Sequence, residues 1–152
     1  MIYLASDHAG FELKNQLADF LKKINFEFVD LGPFSYDKLD DYPDFIIPAA
    51  RKVGEDPREN KAIILGWSGQ GEAMAANKVK GVRAVVYYGG QPEIIKLSRI
   101  HNNANVLSLG AGFLSAEEAI EVVKIWLETG FLNEARHRRR LEKISRFEAS
   151  VG

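Results

Sequence analysis

The chain has no cysteine. That excludes a thiol nucleophile, a thiol base, a disulfide scaffold and any zinc site built on thiolates. Neither sign of charge is in surplus: 20 Lys and Arg stand against 21 Asp and Glu, a net charge of −1. No global field therefore points to nucleic acid or to a membrane surface. No apolar run approaches the roughly 20 residues that span a bilayer. The segment Met1-Ile2-Tyr3-Leu4-Ala5-Ser6-Asp7 lacks the basic flank and the long apolar stretch of a secretion signal. A cytoplasmic location is the expectation. Repeats, linkers and low-complexity segments are missing too. The 152 residues, 46% hydrophobic and 27% charged, then suffice for one domain, 1–152, with a real core.

Short apolar runs alternate with amphipathic segments. Strands are expected at Ile2–Ala5, Phe26–Leu31, Ala62–Leu65, Val82–Tyr87 and Asn105–Leu109. Helices are expected from Phe11 to Ile24, Phe45 to Val53 with Pro48 near its first turn, Gly71 to Lys78 and Pro92 to Ile100. A further helix is capped by Ser115 and Glu118 in the Ser-x-x-Glu pattern and runs through Leu127. A basic helix follows, from about Asn133 to about Phe147. This alternation predicts an α/β fold, an open five-stranded parallel sheet with helices on both faces. Ligands of such sheets bind beyond the carboxyl ends of the strands. The last helix has no place in those layers, which predicts that it packs on a neighbouring subunit.

The richest stretch is Gly66-Trp67-Ser68-Gly69-Gln70-Gly71-Glu72, at a strand-to-helix turn. Its amides can hold an anion or a developing oxyanion, and Glu72 lies within reach of whatever they hold. A carboxylate beside an oxyanion cradle is the apparatus for proton abstraction next to a carbonyl. Glu72 reads equally as an acid favouring the positive end of its helix, and the glycines as turn formers. Asp7 and His8 after the first strand read as a helix cap and an exposed histidine, or as ligands. An acid there also suits a receiver-type signalling domain, but Gly66 stands where that domain carries its phosphoacceptor aspartate. His101, followed by Asn102-Asn103, reads as a helix end or as an acid/base. Arg136 and Arg140, four apart in the run Arg136-His137-Arg138-Arg139-Arg140, share a helical face and can clamp a phosphate. The dinucleotide fingerprint and the Walker A loop are both missing.

The order of segments is more specific than any one of them. Asp7-His8-Ala9-Gly10, Asp41-Tyr42-Pro43, Gly69-Gln70-Gly71 leading to Ala75-Ala76-Asn77-Lys78, Gly81-Val82-Arg83-Ala84, His101-Asn102-Asn103-Ala104-Asn105 and the basic run follow one another. This succession resembles the type B ribose-5-phosphate isomerases and the related galactose-6-phosphate isomerase subunits, over residues 1 to about 145.

The resemblance implies a Rossmann-like three-layer fold, a homodimer with shared active sites (a tetramer is left open), a sugar-phosphate substrate, and no metal or organic cofactor. It implies Glu72 as the base, in place of the cysteine that one branch carries where this chain has Gly66. His101 would open the ring, Asp7 hold ring hydroxyls, Ser68 bond the reacting oxygens, and the amides of Gly69, Gln70 and Gly71 with the Asn102 side chain stabilise the enediolate. His8, Arg136 and Arg140 would bind phosphate, and Tyr42 line the pocket. Ribose 5-phosphate is the expected substrate. A hexose 6-phosphate of galactose or allose type, or a non-catalytic phosphosugar-binding role, remains open. Three features depart from the family: Trp67 where a small residue is usual, Gly112 where many members carry a phosphate-binding arginine, and residues 87–92.

Overall fold

Every strand is followed by a helix, the kind of connection that parallel pairing requires. The computed structural model, which describes residues 1–152, accordingly has one all-parallel sheet. Its strands are β1 (Ile2–Ser6), β2 (Phe28–Asp30), β3 (Lys61–Gly66), β4 (Ala84–Tyr87) and β5 (Val106–Gly110), in the order β2-β1-β3-β5-β4. The helices are α1 (Phe11–Lys23), α2 (Tyr42–Glu55), α3 (Gln70–Ala76), α4 (Glu93–Asn102), α5 (Ala116–Glu128) and α6 (Ala135–Val151).

The two-residue alternation of side chains sorts the core into two layers. Leu4, Ile63, Leu65, Leu107 and Leu109 face α1, α4 and α5, where they meet Leu13, Leu17, Leu21, Ile95, Val122 and Trp126. Ala5, Ala62, Ile64 and Val106 face α2 and α3, against Ile46, Ala49, Ala50, Val53 and Ala76. The second layer is built of smaller residues, alanines above all. β3 and β5 end level with each other, Gly66 opposite Gly110. Gly10 closes α1 onto this centre: a methyl there would sit 2.7 Å from the Leu65 carbonyl.

β4 starts at Ala84 rather than Val82, because the Val82 N–H closes a turn onto Val79 O and the Arg83 N–H is taken by the Asn105 side chain, and α6 runs on to Val151; α2 and β2 depart further. α2 begins one turn earlier, at Tyr42, because Asp41 is extended and Pro43 occupies the first turn, where a missing N–H costs nothing. Pro48 therefore lies inside the helix rather than near its start, and the lost bond is offset by burial of Ile46, Ala49, Ala50 and Val53. β2 is shorter than expected because the Phe26 N–H is taken by Leu21 O, 2.9 Å away, at the end of α1. The capping box at Ser115 and Glu118 is formed as the sequence predicts. α6 lies outside both layers, touching α4, with only His137 buried; Glu148 accepts from the Gly81 N–H at 3.0 Å.

Trp126 is fully buried under the Arg99 guanidinium, 5.7 Å from its ring. Trp126→Ala is expected to cost about 3–5 kcal/mol of stability, read from urea unfolding midpoints; a loss below about 1 kcal/mol would contradict this packing.

Candidate active site

The glycine-rich turn begins where β3 runs out. Gly69 takes a left-handed conformation, φ 76°, which a side chain would resist, and it starts α3. Its carbonyl accepts a 2.6 Å bond from the buried Ser108 hydroxyl of β5, so the turn is pinned to the neighbouring strand. Ser68 Oγ accepts from the Gln70 N–H at 3.3 Å. First-turn amides of a helix have no partner within it, and α3 starts just beyond the end of β3.

Glu72 points back toward the sheet. It is 4% exposed, and its carboxylate fills the volume that any side chain on Gly66 would need. The absence of a side chain at Gly66 is thus what lets this chain lodge a carboxylate over the end of β3. Burial raises the Glu72 pKa above the ordinary value; a backbone hydrogen bond pulls it back, and the nearby Asp7 charge pushes it up further. Desolvation of the charged form makes a carboxylate a stronger base than one in water.

The β1 side of the cradle is acidic and aromatic. Asp7, buried, accepts from the Gly10 N–H at 3.1 Å. His8 Nδ1 pairs with Asp40 at 2.6 Å, and the His8 amide donates to the same oxygen at 3.0 Å. That hydrogen bond is the main cause of a raised His8 pKa, which favours the cation and suits a phosphate or sugar oxygen. The second oxygen of Asp40 is buried without a partner. Asp7, His8 and Asp40 offer one metal-ligand atom each within 4.8 Å of one another, with His8 Nδ1 and Asp40 Oδ1 already bonded to each other. Tyr42 packs its ring against Gly71, where a methyl would come within 2.8 Å of Cζ. Asp40 is not singled out by the sequence; the polar loop 33–42 carries two other acids, Asp37 and Asp41, and only the fold shows which one reaches His8.

Glu72, Ser68, Gly69, Gln70, Gly71, Asp7, His8 and Tyr42 are therefore gathered at the carboxyl ends of the strands. His101, Asn102, Arg136 and Arg140 are not. α4 starts beyond β4 and runs back to the start of β5, so His101 and Asn102 lie at the opposite end of the sheet, about 15 Å away by the length of a five-residue strand. The corner there is rigid. Asn103 is left-handed, φ 45°, and its side chain and carbonyl accept from Arg99 Nη1 at 2.9 Å and Arg83 Nε at 2.9 Å. His101 stacks on His137 with ring centroids 4.4 Å apart. Burial, then the His101 charge, lowers the pKa of His137. Arg136 pairs with Glu134 at 3.0 Å, and Arg140 is exposed.

Comparison with known proteins bears directly on this arrangement. The sequence profile described as Ribose/Galactose Isomerase matches residues 2–144. The chain belongs to that family. It is 41% identical over 147 residues to the ribose-5-phosphate isomerase B of Mycolicibacterium paratuberculosis, covering 97% of this chain and 91% of the relative. Its fold matches the Mycoplasma genitalium ribose-5-phosphate isomerase B crystallised with bound ribulose 5-phosphate, with a TM-score of 0.92, 42% identity and coverage of 97% and 95%. The Clostridium thermocellum ribose-5-phosphate isomerase B superposes with a TM-score of 0.91 at 36% identity, covering 99% of each chain. No helix is long and apolar enough to cross a membrane.

A carboxyl whose pKa is raised on folding stabilises the native state fully only below its unfolded value, near 4.3, and that contribution is lost as pH rises through the folded value. Glu72→Gln should therefore melt higher than wild type at pH 7, and the gap should narrow toward pH 4. Thermal melts at the two pH values check this; a variant less stable than wild type at pH 7 would contradict it.

Proposed function

We infer that this chain is an aldose–ketose isomerase that interconverts ribose 5-phosphate and ribulose 5-phosphate through an enediolate, without metal or organic cofactor. The observation that carries this reading is the Glu72 carboxylate, buried over Gly66 beside the amides of the cradle. Family membership and the ribulose 5-phosphate bound by the Mycoplasma genitalium relative support the substrate class.

The chemistry follows from these positions. With the ring opened, Glu72 takes the proton from C2 of the aldose. The electron pair moves toward C1, and negative charge gathers on the C1 oxygen. The amides of Gly69, Gln70 and Gly71 stabilise that charge, and Ser68 bonds the two oxygens while a proton passes between them. Glu72 then returns its proton to C1, leaving the carbonyl at C2. Asp7 holds ring hydroxyls, His8 meets phosphate or hydroxyl oxygens, and Tyr42 walls the pocket.

Ring opening, assigned to His101, and phosphate binding, assigned to Arg136 and Arg140, need groups from the other end of the sheet. One chain cannot bring them to its own Glu72, whereas a second copy related by a two-fold axis can. The reading is therefore of a cytoplasmic homodimer in which each site takes the cradle from one protomer and His101, Asn102, Arg136 and Arg140 from its partner. The exposed Ile144, Phe147 and Val151 of α6 give that partner an apolar surface.

A phosphosugar sensor on the same scaffold is the competing reading, favoured by Trp67 and Gly112 and separated by following ketose formation. Glu72→Gln should lower kcat by about 10²-fold or more with little change in substrate affinity. His101→Ala should be impaired as well. An equimolar, re-equilibrated mixture of the two variants should regain about one quarter of wild-type activity, because half the dimers are mixed and each has one intact site. No recovery on mixing would overturn the shared site.

A further inference from the structure

The mechanism above uses every residue of the cradle loop except Trp67. Its indole is 63% exposed and seated on Gly112, where a methyl would fall 2.5 Å from Cδ2 and Cε2. Only glycine at 112 leaves room for it. The loop after β5 holds the pair together: the Ala111 N–H donates to Gly66 O at 2.8 Å and the Gly112 N–H to Trp67 O at 2.9 Å. Phe113 backs the indole, with ring centroids 6.2 Å apart, and Tyr88 backs Phe113 at 6.0 Å. These are edge-on and tilted arrangements that aromatic rings favour, so the three form one packed unit.

We propose that Trp67, seated on Gly112 and backed by Phe113 and Tyr88, is a specificity-determining wall that limits substrate length and favours five-carbon over six-carbon aldose phosphates. The proposal rests on the isomerase reading and deepens it. Glu72 is fixed between two flanks, Asp7, His8 and Asp40 on the β1 side and the aromatic unit on the β5 side. The carbon that loses its proton must lie at Glu72, and the phosphate must reach the basic groups. One extra carbon lengthens the path between those two fixed points, and the indole, held on its Gly112 seat by the ring of Phe113, limits the room for it although Trp67, Phe113 and Tyr88 are themselves exposed. A one-carbon difference in a tight pocket is worth roughly 10–200-fold in kcat/KM.

The test compares ribose 5-phosphate with allose 6-phosphate, which keeps the same configuration and adds one carbon. Wild type should prefer the pentose. Trp67→Ala should lower the ratio of the two kcat/KM values by about tenfold or more, with the hexose gaining. Gly112→Ala keeps the indole in the chain but pushes it off its seat, and should shift the ratio the same way. Direct contact has its own signal. The chain has two tryptophans, and Trp126 is fully buried. Ribose 5-phosphate should therefore change the fluorescence of wild type in a saturable way and leave that of Trp67→Phe unchanged. An unaltered ratio in both folded variants would overturn the wall while leaving the isomerase reading intact. A wild type that forms no ketose from either sugar would overturn both.

Discussion

The site depends on one steric concession. At the end of β3 the chain omits a side chain, and the volume so released holds a carboxylate that would otherwise have no dry place to sit. Gly66 lies opposite Gly110, so neither central strand crowds the space. Glu72 reaches it because α3 starts immediately after the turn, and the turn is fixed by the left-handed Gly69 and by Ser108 on the next strand. A buried carboxylate is unfavourable for folding, and the same desolvation raises its basicity. Stability and chemistry thus pull in opposite directions at one residue, as functional sites commonly require.

The second constraint is topological. In a parallel sheet each helix returns the chain to the starting edge, so residues at helix ends and residues at strand ends lie on opposite sides of the molecule. His101 and Asn102 end α4, and Arg136 and Arg140 lie on a helix that contacts little but α4. No side-chain movement closes that gap. The half-buried Arg83 and the buried Arg99, clamped on the Asn103 corner, hold these groups in place at the far edge rather than freeing them to move. On the proposed reading, a second copy of the chain is what joins the two half-sites.

Much of this was readable in the sequence, for physical reasons. Strict βα alternation specified the parallel sheet, and Gly69, Gln70, Gly71 and Glu72 marked the cradle, because turns and helix starts demand particular residues. Asp40 was hidden: its partner His8 is 32 residues away, and a polar loop carries no periodicity to say which acid turns inward. The packing role of Gly66 was hidden as well, since a glycine that makes room for another residue looks like any other glycine. The early start of α2 was missed because Pro48 suggested a first turn, when Pro43 was the proline that filled it. The seating of Trp67 on Gly112 joined two departures that in sequence stand 45 positions apart and look unrelated.

Proton abstraction by Glu72 can be read apart from the complete reaction, by incubating the protein with ribulose 5-phosphate in heavy water and following deuterium at C1. The account predicts that wild type washes deuterium into that carbon and that Glu72→Gln, folded and still binding the sugar phosphate, does not. Exchange at the wild-type rate in Glu72→Gln would place the base elsewhere and contradict the account.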